Sequence, residues 1–103
     1  MIRHMVLMDI KPDIEASDRE GLFEQIRGMS QISSVRRLAI GKLLEPRENW
    51  YKERIAKDFG WALIVEFDDE DGLYVYQRHP IHVTVAQEIR KRVNAVKIVD
   101  FVS

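Results

Sequence analysis

Apolar and other side chains alternate from Ile2 to Lys11. Ile2, His4, Val6, Met8 and Ile10 fall on one face, and Arg3, Met5, Leu7, Asp9 and Lys11 on the other. This period of two predicts a strand, stopped by Pro12, which cannot donate to a ladder. Ser17-Asp18-Arg19-Glu20 reads as a capping box, and Leu22, Phe23, Ile26 and Met29 follow at helical spacing, so a helix runs to Gly28 or Ser30. Val35 to Leu44 reads as a second strand, with Gly41 marking a bulge. In the polar stretch Glu45–Asp58, Trp50, Tyr51, Arg54 and Ile55 form one side of a short helix. Gly60 to Phe67 is a strand that is apolar on both faces, with Trp61, Leu63, Val65 and Phe67 on one and Ala62 and Ile64 on the other. Asp68 or Asp69 then caps a short helix holding Leu73 and Tyr76. Pro80 opens another helix, with Ile81, Val85, Ile89 and Val93 as its core stripe and Arg90-Lys91-Arg92 near its negative end. Val96 to Val102 closes the chain as a strand.

Strand, helix, strand, strand, helices, strand is the order of a ferredoxin-like split βαβ unit. The expected fold is therefore α+β: four antiparallel strands in one sheet, with helices on one face. Helices cover only one side of the doubly apolar Gly60–Phe67 strand. A second copy of the sheet is the economical cover for the other side, which predicts a homodimer.

The 103 residues suit one domain spanning 1–103, and an apolar share of 46% suffices for a core. Sixteen basic residues against seventeen acidic ones leave no footprint for nucleic acid. With no cysteine, disulfide and thiolate chemistry are excluded. No apolar run is long enough for a membrane span, and the short charged start reads as a strand, so a cytoplasmic location is expected.

Three segments carry a resemblance. Met1-Ile2-Arg3-His4-Met5-Val6-Leu7 resembles the opening strand of the stress-responsive dimeric A/B-barrel (Dabb) family, and Val65-Glu66-Phe67-Asp68 the end of its central strand. Tyr76-Gln77-Arg78-His79-Pro80-Ile81-His82 matches its tyrosine-x-x-His-Pro-x-His signature, and Val99-Asp100-Phe101 fits its close. The resemblance implies a ferredoxin-like dimer whose two sheets close into an α/β barrel. It also implies mixed functions. One plant member, a polyketide cyclase, works without a cofactor through a tyrosine and a histidine. These fall on Tyr76 and His82, and its first-strand histidine on His4. A further pocket histidine of that cyclase falls on Trp61, which would fill space a long substrate tail needs.

His82 is thus the candidate base, since imidazole takes and returns a proton near neutrality. Tyr76 is the candidate donor to a developing oxyanion. His4, Trp61 and His79 are the candidate substrate-binding residues, His79 with a competing role as a cap before Pro80. No carboxylate stands at a telling spacing from the histidines, so no metal is expected; that no cofactor is needed is what the resemblance implies. If the chain is an enzyme, the expectation is a cofactor-free lyase or isomerase resembling that cyclase. The competing expectation is a non-catalytic dimer that serves stability or partner binding. A heme-type or cofactor-free monooxygenase rests on fold analogy alone.

Overall fold

The alternation at the start of the chain becomes β1 (Ile2–Ile10), whose Ile2, His4, Val6 and Met8 are buried. A computed structural model describes residues 1–103. After β1 come α1 (Ala16–Gly28), a 3₁₀ turn (Met29–Gln31), β2 (Arg37–Lys42) and the single turn α2 (Asn49–Lys52). Then follow β3 (Trp61–Phe67), α3 (Glu70–Arg78), α4 (Pro80–Arg92) and β4 (Val93–Val102). The four strands form one antiparallel sheet in the order β2-β3-β1-β4. This is the expected ferredoxin-like α+β fold.

Register decides which side chains meet. Across β1, β3 and β4, His4 lies opposite Val65 and Asp100, Val6 opposite Leu63 and Ile98, and Met8 opposite Trp61 and Val96. These residues all face the helices. Met8, Leu63, Val65 and Phe67 pack there against Phe23 and Ile26 of α1, Met29 of the 3₁₀ turn, and Leu73 and Tyr76 of α3. Fully burying one such side chain contributes about 1.5–3 kcal/mol, so this layer carries most of the stability.

The opposite face of the sheet has no helix over it. It presents Ala39, Ile64, Met5 and Val99 in one row across β2, β3, β1 and β4, beside Ala62 and Leu7 in the next. An Arg3–Glu66 ion pair at 2.9 Å, with the Arg3 guanidinium 6.0 Å from the Phe101 ring, borders this stripe. The extents, 40 × 34 × 17 Å, are those of two layers.

The structure corrects four local expectations. The capping box does not form. α1 begins at Ala16 with Glu15 as its N-cap and no side-chain cap, while Ser17 sits inside the first turn. A turn closed by Ile14 N–H to Lys11 O starts the helix early, and Asp18 is drawn instead into an ion pair with Arg92 at 2.9 Å. Gly41 makes no bulge, because β2 and β3 pair in unbroken register; the irregularity lies at Asp9/Ile10 against β4. Arg54 and Ile55 lie beyond the short α2, and Trp50 and Tyr51 are exposed. Val93 ends the core stripe of α4 by becoming the first residue of β4, a β-branched side chain taking the extended backbone.

Candidate functional site

The turn between α3 and α4 builds the site. Asp69 caps α3 by accepting from Gly72 N–H at 2.9 Å. α3 then ends at Arg78, because a residue before proline is pushed out of helical geometry. His79 adopts that extended backbone, and its Nδ1 accepts from Ile81 N–H at 3.1 Å, which caps α4. The reversal turns Tyr76 and His82 toward one another, with ring centroids 4.5 Å apart and a 50° interplanar angle.

Tyr76 is 1% exposed, wedged between Phe67 at 5.1 Å and His4 at 5.9 Å. Burial pushes its phenol well above the ordinary value of 10.0, so it stays protonated. The Nδ1 of His82 lies 3.0 Å from Gln77 O. A carbonyl only accepts, so this nitrogen donates and Nε2 carries the lone pair of the neutral ring. Burial is the main cause that lowers the His82 pKa below 6.5; the Gln77 bond opposes it, and His4 and Arg90 add repulsion. His82 is therefore neutral at pH 7. His4 places its Nδ1 2.5 Å from Asp100 Oδ1. The carboxylate fixes that nitrogen as the donor and leaves Nε2 free.

These three rings line a cavity of about 340 Å³ between the sheet and α4. Val6, Leu63, Val85, Ile89, Val96 and Ile98 make most of the remaining wall, and Gln77 and Arg90 add polar atoms. Val96 and Ile98 are also largely exposed, so the cavity opens along β4. The Tyr76 hydroxyl and the Nε2 atoms of His4 and His82 make no hydrogen bond within the protein. None of the three is sealed from solvent, since Nε of Arg19 is the one buried side-chain atom with no partner.

Of the five residues expected at a site, His4, Tyr76 and His82 thus come together. Trp61 and His79 do not line the cavity. Trp61 lies at the other end of the sheet, 4.8 Å from Phe23 and with the Arg19 guanidinium 5.3 Å above its ring. It therefore takes no space from the cavity, and its surroundings are those of a packing residue. His79 spends its Nδ1 on the α4 cap. Asp100 and Arg90 were missed by the reading of the sequence. A lone carboxylate among the apolar residues of β4, in phase with Val96 and Ile98, was the available signal for Asp100. Arg90 gave none beyond its place at a helix end. No group of three His, Cys, Asp or Glu side chains is placed to hold a metal ion, and no helix is long and apolar enough to cross a membrane.

Residues 2–103 match the model of the stress-responsive A/B barrel domain. The chain belongs to this family. Solved structures agree with the fold of this A/B barrel. A dimeric ferredoxin-like protein of unknown function from Thermobifida fusca superposes with a TM-score of 0.80 at 22% identity, covering 99% of this chain and 90% of its own. A Dabb family protein from Mesorhizobium loti gives 0.79 at 19% identity, covering 99% and 95%. A hydroxynitrile lyase from Passiflora edulis gives 0.85 at 16% identity, covering 99% and 92%. At such identities the likeness speaks to fold alone. No curated protein matches the chain.

Proposed function

We propose that this A/B barrel is a cytoplasmic homodimer that binds a small carbonyl compound between sheet and α4, and that His82 and Tyr76 act on it by acid/base chemistry without a cofactor. The observation that supports this reading is the convergence of three unpaired polar atoms on one apolar cavity. All three are open to the cavity, so a ligand entering it would meet three free hydrogen-bonding groups set in an apolar wall. At about 340 Å³ the space is at the small end of ligand pockets. Trp61 takes no part in bounding this space.

In this reading Nε2 of His82 removes a proton from the carbon beside the carbonyl. The Tyr76 hydroxyl donates to the oxygen as negative charge gathers there. His82 then returns the proton at another atom, or to a leaving group, so no electron acceptor is needed. His4, oriented by Asp100, contacts the substrate; Trp61 and His79 have no binding role. The name hydroxynitrile lyase denotes another proton-coupled change at a carbonyl carbon, and its bearing here rests on fold analogy. The dimer is supported by the uncovered apolar face and by similar structures described as dimeric.

The test needs no knowledge of the natural substrate. In heavy water, exchange of the protons beside the carbonyl of butyrophenone and 4-oxo-4-phenylbutanoate is followed by NMR. Exchange by the wild-type protein that falls by about 10²-fold or more in His82→Ala supports the reading. Wild-type protein no faster than buffer, with His82→Ala and Tyr76→Phe altering only the melting temperature, leaves the non-catalytic dimer as the better account.

A further inference from the structure

We propose that the ligand of this cavity carries a carboxylate several bonds from its reactive carbonyl, and that Arg90 holds that carboxylate. The inference rests on the small-molecule reading above and names the class of molecule. It begins with an unused charge. Arg3, Arg27, Arg36 and Arg92 each pair with a carboxylate of the chain, whereas Arg19, Arg37, Arg47, Arg54 and Arg78 make no ion pair but lie outside the cavity. Arg90 lines the cavity and has no ion pair or hydrogen bond in the chain. The need of the α4 C-terminus for a cation is met by its neighbour, since Arg92 Nη1 donates to Glu88 O at 3.1 Å.

The rest of the lining sharpens the choice. The wall contains no aspartate or glutamate, and its titratable side chains are His4, Tyr76, His82 and Arg90. Asp100, the nearby acid, is engaged by His4. A cavity with one fixed positive charge, donors and no fixed negative charge favours an anion, and a guanidinium matches a carboxylate with two parallel hydrogen bonds. Spacing sets where the charge sits in the ligand. His82 and Arg90 are eight residues apart on α4, a rise of about 12 Å at 1.5 Å per residue. Helical side chains lean toward the N-terminus, so Arg90 reaches back toward His82 and shortens that span. A carboxylate directly on the carbonyl is too close for both groups, whereas a 4-oxo acid separates them.

The experiment compares two molecules that differ only in the charged group. Binding of 4-oxo-4-phenylbutanoate and of butyrophenone, in which a methyl replaces the carboxylate, is measured by titration calorimetry at pH 8 with wild-type protein and Arg90→Gln. The expected result is about tenfold tighter binding of the acid by the wild type, a preference that vanishes in Arg90→Gln while butyrophenone binds as before. Equal binding of both molecules by the wild type overturns the carboxylate and leaves the pocket standing. A preference that survives in Arg90→Gln overturns the role of Arg90. Silence from both molecules, and from the smaller pair 4-oxopentanoate and pentan-2-one, overturns the pocket reading and this inference with it.

Discussion

At Tyr76 burial and hydrogen bonding point in different directions. The residue is 1% exposed, yet its hydroxyl bonds to no group of the protein and opens into the cavity. If the hydroxyl served the fold, Tyr76→Phe would cost the roughly 0.5–1.5 kcal/mol of a net hydrogen bond. With no partner to lose, the substitution is expected to leave the melting temperature unchanged or slightly raised, while turnover falls by about 10²–10³. Thermal denaturation and the exchange assay on the same sample decide this, and a lowered melting point with intact exchange would mark the hydroxyl as structural. The pH profile tests His82. Its folded pKa lies below 6.5, and it works as a base only when deprotonated, so the rate rises with pH through a midpoint below 6.5. Tyr76 stays protonated beyond pH 10, so no fall in rate is expected before that. Arg90 repulsion is among the causes lowering the His82 pKa, so Arg90→Gln should move the acid limb upward. An acid limb centred above 6.5 in the wild type would remove His82 as the base.

Among the elements, the junction of α3 and α4 matters most, because one residue outside the cavity sets the positions of two that line it. His79 caps α4. His79→Ala is expected to lower stability by about 1 kcal/mol in denaturant titrations, and His79→Asn to restore it, since an asparagine side chain accepts the same N–H. A His79→Ala protein that keeps its stability and loses ligand affinity would return His79 to the site. This junction was legible in the sequence because proline and the residue before it have few options. The strand faces were legible for a similar reason: period two admits one assignment of Ile2, His4, Val6 and Met8. Ser17 shows the limit of such local signals. Its capping pattern is complete, yet the turn before it and the pull of Arg92 on Asp18 start the helix elsewhere. Trp61 shows another limit. Matching positions along the chain placed it in the pocket, but register sets it opposite Met8, two rows from His4 toward the far end of β1. Asp100 and Arg90 enter only once β4 is paired and α4 is laid over it, and neither event leaves a periodic trace.

For the whole molecule, the sheet is finished on one side only. Ala39, Ile64, Met5 and Val99 form a continuous apolar row on the open face, with Met5 paired directly to Ile64. A patch of this kind on a small domain marks an association surface, and a two-fold axis lets one patch cover itself. In such a pair every substitution occurs twice. Ile64→Lys puts two ammonium groups into the same dry interface, where neither finds a partner, and the cost of an unpaired buried charge is several kcal/mol each. The wild type is therefore expected to sediment as a dimer at micromolar concentration and Ile64→Lys as a monomer. The wild-type melting temperature should rise with protein concentration and the variant's should not. The cavity lies on the other side of the sheet, walled by α4 and β4 of the same chain. The monomeric variant, where it remains folded, should thus bind 4-oxo-4-phenylbutanoate as the wild type does. A wild-type protein that sediments as a monomer would sink the dimer. A dimer whose dissociation abolishes binding would mean that the partner completes the pocket, across the β4 edge where Val96 and Ile98 stand exposed.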